Sequence, residues 1–401
     1  MIMTFEEVEP KRKKISQPLP SFSSLPDEIT ENILARVSRW NYPSLSLVSK
    51  SFHSILSSME IYKTRSQIGT EETCVYVCLR LHNQPYPSWF MIWAKPNNQT
   101  LTKQRGKIRF KKDPAGNSVI PIPIHSPQIT SQSTTVGHEI YIIGGPCDEP
   151  SSSVWILDCR SHTWRNGPNM TVAREDPCVF SNDDKIYVMG GCNIDECSSR
   201  WFEVFDMETQ SWTVLPGPGA DNDELRILLA ENNYDLVNVI DEKFFVMING
   251  REYTYEPTKD GTWKLLKGQS DSIDHYNEVV ASSWINDVIY CCTCDGDLIW
   301  CDPEDEGREW REVKGLQRLR DDCTMGLRSA SKYAVEDYGG KLMVMWGYSD
   351  DIQRENKIWY AKISLERSSN GREIWGKIEC VDELTFPCES YEFFDCFCIL
   401  A

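Results

Sequence analysis

The sequence lacks the long apolar segments that membrane insertion and secretion require. No window contains the roughly 18 consecutive apolar residues of a transmembrane helix. Segment 1–20 has no apolar core of a secretory signal and carries the basic run Lys11, Arg12, Lys13 and Lys14 instead. These absences predict an intracellular protein, located in the cytoplasm, the nucleus or both. The basic run is consistent with a nuclear import signal and equally with a solvated tail.

The sequence also lacks the spacings typical of metal and catalytic sites. Its six histidines form no pair at zinc spacing, and the cysteine clusters at 192–197 and 291–294 have no second half. There is no Gly-x-Ser-x-Gly elbow, no phosphate-binding glycine loop and no His-Glu-x-x-His motif. The sixteen cysteines lie mostly in apolar runs, which is typical of buried free thiols. We therefore expect no catalytic residue, no cofactor and no metal.

Acidic residues outnumber basic ones outside the N-terminal part of the chain. The net charge is −18, but residues 1–68 carry nine Lys and Arg against seven Asp and Glu, so residues 69–401 carry −20. Such a domain repels nucleic acid and anionic membranes, and it favours a basic protein surface as partner. A solvated acidic surface without a dedicated partner is the simpler interpretation of the same charge.

An amphipathic helix is predicted over residues 25–37. Apolar side chains at positions 29, 33, 34 and 37 form one stripe of a helix. Pro26 suits the first turn, where a backbone N–H is not needed. At 401 residues the chain is too long for one ordinary domain, so this helix indicates a small domain ahead of a larger one.

A second apolar stretch, over residues 45–61, follows a break at residues 40–43. It continues with helical spacing, and Ser44 and Ser49 are candidate N-caps. Together the two stretches predict three short helices. A unit of this size buries little apolar surface, so it needs a partner or a neighbouring domain for full stability.

A strand-like segment ending in two glycines occurs twice in the remainder of the chain. Residues 138–145, HEIYIIGG, are matched 46 positions later by residues 184–191, DKIYVMGG. Each copy is followed by an apolar run, a Thr-Trp or Ser-Trp pair, and a Gly-Pro or Leu-Pro turn. This order predicts a four-stranded antiparallel blade with a tryptophan on its outer part.

Weaker copies continue the repeat to residue 380. The tryptophans at 164, 212, 263 and 310 are spaced by 48, 51 and 47 residues, and a further copy ends at Trp375 after an insertion. A four-stranded sheet cannot bury both faces alone, so such repeats stack around an axis into a β-propeller. The runs 73–80, 89–95 and 393–400 are predicted to form one more blade from both ends of the chain. The blade count stays open between five and six.

The helical segment resembles an F-box, in particular the plant-type F-box that precedes kelch repeats, and the repeats resemble a kelch propeller. The F-box resemblance covers residues 22–65, although Ser49 and Phe52 stand where many F-boxes have Cys and Trp. It rests on Leu25, Pro26, Ile33, Leu34, Val37, Leu45, Val48, Ser49, Lys50, Phe52, Ile55 and Ser58. The kelch resemblance covers residues 126–380 and rests on the period of about 50 residues.

The expected fold is a small all-α, three-helix F-box followed by an all-β kelch propeller of five to six four-stranded blades. We place a disordered basic tail at 1–20, the F-box at 21–66 and the propeller at 72–401. The clear repeats lie near residues 126–170, 171–217, 235–268, 279–315 and 333–380.

The resemblance implies the substrate-recognition subunit of an SCF-type (Skp–cullin–F-box) E3 ubiquitin ligase. The F-box would bind a Skp-type adaptor and through it a cullin, the propeller would bind a target protein, and the chain itself would be non-catalytic. The alternative is a kelch scaffold or ligand-binding module outside any ligase. The residues implied in adaptor binding are Leu25, Pro26, Ile29, Ile33, Leu34, Val37, Leu45, Val48 and Phe52.

The loops that follow the double glycines are the expected target-binding region. They are polar, acidic and different from repeat to repeat, as recognition loops on a rigid scaffold often are. The candidate residues are Asp148, Glu149, Asp195 and Glu196. Arg174 resembles an arginine near the mouth of kelch propellers, where it would either contact an acidic target group or hydrogen-bond within its blade. The sequence does not identify the target.

Overall fold

A computed structural model shows two compact units, residues 1–70 and 71–401. The first consists of helices and the second almost entirely of strands. No helix in the described part of the chain is long and apolar enough to cross a membrane. The described residues are 25–81, 87–93, 102–104, 107–109, 118–123, 132–145, 149–182, 184–192, 200–216, 234–240, 243–248, 251–256, 262–265, 279–303, 309–321, 326–348, 357–388 and 390–401.

In its described residues, from 25 onwards, the first unit contains four α-helices where three were predicted. They are α1 (Asp27–Ala35), α2 (Tyr42–Ser46), α3 (Lys50–Leu56) and α4 (Glu60–Ile68), with a 3-10 turn at Arg39–Asn41. The second apolar stretch is divided because Ser49 is extended and caps α3, accepting a hydrogen bond from the Phe52 N–H at 3.1 Å. Ser44, the other candidate cap, lies inside α2 instead.

A small core holds the four helices together. It is formed by buried side chains of α1, α2, α3 and α4, namely Leu34, Ala35, Tyr42, Leu56 and Ile61. Half-buried Leu45, Phe52 and Ile55 pack against this core. Five buried residues are few for a unit of this length, which agrees with the predicted need for stabilisation from outside.

The second unit contains six four-stranded antiparallel sheets, which are the blades of a six-bladed propeller. In hydrogen-bonded order, blade 1 is β26 (Tyr391–Leu400), β1 (Thr73–Leu81), β2 (Ser88–Trp93) and β5 (Ser118–Ile122); blade 2 is β6 (Gln132–Val136), β7 (Glu139–Ile143), β8 (Val154–Asp158) and β9 (Thr163–Asn166); blade 3 is β10 (Cys178–Asn182), β11 (Lys185–Met189), β12 (Phe202–Asp206) and β13 (Ser211–Leu215).

The remaining blades follow the same order along the chain. Blade 4 is β14 (Tyr234–Ile240), β15 (Lys243–Ile248), β16 (Arg251–Glu256) and β17 (Thr262–Leu265); blade 5 is β18 (Val279–Ile285), β19 (Val288–Thr293), β20 (Leu298–Cys301) and β21 (Arg311–Glu312); blade 6 is β22 (Lys332–Asp337), β23 (Leu342–Gly347), β24 (Lys357–Arg367) and β25 (Ile374–Thr385). A short hairpin joins β3 (Thr102–Gln104) to β4 (Lys107–Arg109), helix α5 is Gln317–Asp321, and a 3-10 turn is Leu327–Ser329.

The predicted sixth blade is confirmed, and it closes the ring. Strand β26 pairs with β1 from Thr73–Leu400 to Leu81–Tyr391, so the two ends of this unit share one sheet. The first strands of neighbouring blades contact one another, for example β6 with β10 and β22 with β26, and therefore line the axis. Separate apolar cores fill the spaces between blades 1 and 2, 2 and 3, 3 and 4, 5 and 6, and 6 and 1.

The double glycines end the second strand of a blade, where two loops come very close. A Cβ atom on Gly145 would lie 1.8 Å from the Glu149 carbonyl oxygen, and one on Gly191 would lie 2.5 Å from the Glu175 carbonyl oxygen. Gly191 also has a positive φ of 67°. The glycines are therefore needed for close contact between loops at the strand ends.

Tryptophans of the outermost strands link neighbouring blades. The Trp164 indole N–H donates to the Pro123 carbonyl at 3.1 Å, and the Trp212 indole N–H donates to the Pro168 carbonyl at 2.9 Å. In both cases the proline lies just after the last strand of the preceding blade. The tryptophans predicted on the outer part of blades 2 and 3 thus each make a hydrogen bond to the preceding blade.

Candidate functional site

The helical unit exposes large apolar side chains in two groups. On α1 and just before it, Leu25, Ile29 and Ile33 are 38%, 49% and 38% exposed. Between α2 and α3, Leu47 is 87% exposed and Val48 is 65% exposed. We call these five residues the exposed apolar set. Exposed apolar side chains concentrated in so small a unit are typical of a surface that another protein covers.

Leu47 and Val48 are held on an ordered turn. The Leu47 N–H donates to the Ser44 carbonyl at 3.3 Å, and the Val48 N–H donates to the Leu45 carbonyl at 3.0 Å. Ser49 then caps α3, so the backbone is fixed on both sides of the pair. Because the turn is already formed, a partner that covers these side chains pays little extra ordering entropy.

A buried arginine fixes the end of α1 beneath this surface. Arg65 on α4 donates to the Ala35 carbonyl at 2.9 Å and to the Val37 carbonyl at 2.8 Å. Its guanidinium also donates to the Tyr42 hydroxyl at 3.2 Å and to the Thr70 carbonyl. Arg65 therefore satisfies carbonyl groups at the C-terminal end of α1, which the helix itself leaves unpaired.

The residues predicted for adaptor binding divide into three classes. Leu25, Pro26, Ile29, Ile33 and Val48 are exposed, and Val37, Leu45 and Phe52 are half-buried. Leu34 is only 2% exposed and belongs to the core. From that position Leu34 stabilises the unit but does not present its side chain to a partner.

Two residues of this region were missed from the sequence. Leu47 falls in the apolar stretch over residues 45–61 that was predicted to continue with helical spacing, whereas the structure interrupts the helix there. Arg65 gave no signal, since a basic residue on a short helix is usually solvated. The Ser49 cap, which was considered, marks the interruption and could have placed Leu47 outside the helix.

Arg174 lies in the interior of the propeller, between blades 2 and 3, and is 0% exposed. Its guanidinium pairs with the equally buried Glu203 at 2.7 Å. It also donates to the carbonyls of Gly190, Arg200 (2.6 Å) and Trp201 (3.0 Å). Of the two roles considered for Arg174, these contacts favour the hydrogen-bonding role within the blades, because the side chain does not reach the surface.

The acidic loop candidates are only partly described. Glu149 is exposed, on the loop between β7 and β8. Asp148, Asp195 and Glu196 lie outside the described residues, as does the basic run of the N-terminal tail. The loop that bears Glu149 contacts the segment ahead of blade 3, since Gly145 and Ser151 pair with Glu175 and Arg174.

Family models match both units. A model of the F-box domain matches residues 22–64, and a model described as FKB95, Kelch-repeats domain, matches residues 89–385, which is most of the chain. The chain belongs to the F-box/kelch-repeat family. The resemblance inferred from the sequence is thereby confirmed. In this F-box/kelch-repeat protein, the kelch match begins within β2 and ends at the last residue of β25, so the β1–β26 pair that closes the ring lies outside it.

Curated relatives match this F-box/kelch-repeat protein over at least nine tenths of its length. An F-box/kelch-repeat protein of Arabidopsis thaliana is 45% identical over 96% of this chain and 94% of its own. A putative F-box/kelch-repeat protein of the same plant is 39% identical over 94% and 95%, and a third is 41% identical over 90% and 88%. The two-domain order is therefore common to these proteins and this chain.

Proposed function

We propose that this protein is the substrate-recognition subunit of an SCF-type E3 ubiquitin ligase. The F-box binds a Skp-type adaptor and through it a cullin, and the kelch propeller binds the protein to be ubiquitinated. The chain performs no bond chemistry; it contributes proximity and orientation between a target lysine and the ligase. The observation that carries the proposal is the exposed apolar set on an F-box unit.

The exposure of Leu47 and Val48 supports the adaptor half of the proposal. Side chains this exposed are normally polar in a small domain. Leu47 and Val48 do not belong to the core of the helical unit, so the packing of that unit does not explain why they are apolar. Burial of one aliphatic side chain in a complex contributes about 1.5–3 kcal/mol. The five residues of the set can therefore contribute a large part of the favourable free energy of docking.

The target half of the proposal rests on the loops between second and third strands. Gly145 and Arg174 hold two such loops against the segments that join neighbouring blades. The propeller thus supplies a rigid frame on which variable acidic loops are presented. The charge of −20 over residues 69–401 favours a target with a basic surface.

We expect the double substitution Leu47→Ser/Val48→Ser to weaken adaptor binding strongly. Loss of two buried aliphatic contacts corresponds to about 3 kcal/mol, or roughly a hundredfold in Kd. The measurement is calorimetric titration of the full-length protein with a purified Skp-type adaptor. Circular dichroism of the variant should remain that of the wild type, because neither side chain belongs to the core.

The matched control is Glu60→Ser/Lys63→Ser on α4. These residues form an exposed ion pair at 2.9 Å and change no net charge when they are replaced together. Adaptor affinity should stay within about twofold of wild type. If the wild-type protein binds no adaptor, the ligase proposal fails and a kelch scaffold outside any ligase becomes the better interpretation. Equal loss in both variants would contradict the assignment of the surface.

A further inference from the structure

Three potential metal ligands meet at one end of blade 2. Glu139 begins β7 and lies directly opposite Asp158, which ends β8. His138 precedes Glu139 in the turn from β6. One ring nitrogen of His138 and one carboxylate oxygen from each acid all lie within 4.8 Å of one another. All three residues are half-buried, so the cluster is shielded but open to solvent on one side.

The charge pattern of this end differs from that of the next two blades. In blade 3 the corresponding pair is Lys185 opposite Asp206, and in blade 4 Lys243 forms an ion pair with Glu256 at 3.7 Å. Blade 2 has glutamate where the other two have lysine. Two acids directly opposite on neighbouring strands repel each other unless a cation lies between or beside them. In blade 2 the positive charge therefore has to come from outside the opposed pair itself.

Two arginines provide the positive charge in the metal-free arrangement. Arg165 on β9 contacts both oxygens of Glu139, at 2.7 and 2.8 Å, and Arg160 lies 3.3 Å from Asp158. The Arg165 side chain is 46% exposed. An ion pair that is so open to water contributes at most about 1 kcal/mol. Its presence should therefore lower the affinity for a metal by no more than about fivefold.

We propose that His138, Glu139 and Asp158 form a binding site for one divalent transition-metal ion of the zinc class. One imidazole nitrogen and two carboxylate oxygens are a donor set that zinc accepts, with the fourth position left to water. The imidazole nitrogen disfavours calcium and magnesium, which prefer oxygen ligands alone. Arg165 moves into solvent as the ion enters.

The test is titration of tag-free, full-length protein with Co²⁺ followed by visible absorption, and with Zn²⁺ in competition. We expect one equivalent of Co²⁺ to give weak d–d bands without the intense charge-transfer band of a thiolate ligand. His138→Gln should weaken binding by roughly tenfold or more, because it removes the only nitrogen donor. Arg165→Gln should strengthen binding, by up to about fivefold, because it removes the competing cation.

The matched control is His162→Asn. His162 lies in the nearby turn after β8 and contacts the Tyr76 hydroxyl at 3.0 Å, and asparagine tolerates its φ of 56°. This variant should bind Co²⁺ like the wild type. The proposal is overturned if the wild type binds no Co²⁺, if a thiolate band accounts for all binding, or if His138→Gln leaves the affinity unchanged. A loss of affinity in Arg165→Gln would equally contradict it.

Discussion

Arg165 and Arg174 lie nine positions apart and show how environment decides what an ion pair contributes. Arg165 pairs with Glu139 at the surface, whereas Arg174 pairs with Glu203 at zero exposure for both side chains. Glu203 also accepts a hydrogen bond from the Thr171 N–H at 2.9 Å. The buried pair therefore joins the segment before β10 to strand β12, and removal of either partner leaves a buried charge alone.

We predict that Arg174→Met lowers the free energy of unfolding by about 3–5 kcal/mol. The loss arises because the Glu203 carboxylate stays buried without a cation. Urea denaturation followed by tryptophan fluorescence measures it, since all of the fourteen tryptophans except Trp40 lie in the propeller unit. Arg165→Met, measured with a chelator present, is the surface control and should cost less than about 1 kcal/mol. Similar losses in both variants would refute the distinction.

At the scale of the strand, the hydrogen bond that links a blade to the preceding one has a different donor in blade 4 than in blades 2 and 3. Trp164 and Trp212 donate their indole N–H to a proline carbonyl. In blade 4 the Tyr255 hydroxyl donates to the Pro216 carbonyl instead. The Trp263 indole N–H has no acceptor among the described residues, and its ring stacks on Tyr255 at 4.7 Å. The hydrogen bond to the preceding blade is thus retained, but a different strand supplies it.

Because a tyrosine replaces the tryptophan as hydrogen-bond donor in blade 4, the same Trp→Phe substitution should affect stability differently in blades 3 and 4. Trp212→Phe should lower stability by about 0.5–1.5 kcal/mol beyond the loss of apolar area, because it removes the hydrogen bond to the Pro168 carbonyl. Trp263→Phe should cost clearly less, because it removes a buried N–H that makes no hydrogen bond. Both values come from urea denaturation of the full-length protein, with Tyr255→Phe as the companion that should behave like Trp212→Phe. Trp263→Phe as costly as Trp212→Phe would contradict the exchange.

The strands and their order were predictable because the same sequence pattern occurs in several repeats, each of which forms the same strand pairing. HEIYIIGG and DKIYVMGG share a frame, so the blade did not depend on any single residue. Contacts made once, between distant residues, had no such signal: Arg65 with Ala35, Arg174 with Glu203, and His138 with Asp158. The same limit applies to Leu47, because helical periodicity does not show where a helix is interrupted by a capping serine.

At the scale of the whole propeller, a half-buried acid lies on the strand that closes the ring. Asp395 on β26 accepts a hydrogen bond from the Cys396 N–H at 2.8 Å and from the Ser133 hydroxyl of blade 2 at 3.4 Å. Burial raises the pKa of Asp395 to about 6. Burial, with Asp395 as a second cause, also raises the pKa of Glu336 on β22, the neighbouring inner strand. The closure is therefore less favourable when both carboxyl groups are ionised.

The stability of the propeller should consequently depend on pH. The folded state keeps a proton on Asp395 up to about pH 6, whereas the unfolded chain loses it near pH 4. Stability therefore falls as the pH rises from 4 to 6, and the full penalty remains above 6. Asp395→Asn should remove this penalty, with a gain of at most about 3 kcal/mol at pH 7.5 relative to pH 4.

The measurement is urea denaturation of wild type and variant between pH 4 and 8. Glu392→Gln, a change at an exposed acid on the same strand, is the control and should leave the pH dependence in place. A wild-type stability that does not change between pH 4 and 8 would rule out the effect, as would a parallel profile for Asp395→Asn.

The pairing of β1 with β26 has a consequence for how the protein folds. Thr73 meets Leu400 only after almost the entire sequence of this unit has been arranged between them. Contacts between positions so distant in sequence form late and slowly, because the entropy of loop closure must be overcome first. Until then β1 offers an open, apolar hydrogen-bonding edge. Refolding of this protein should therefore be slow, and its partly folded forms should be prone to aggregation in proportion to their concentration.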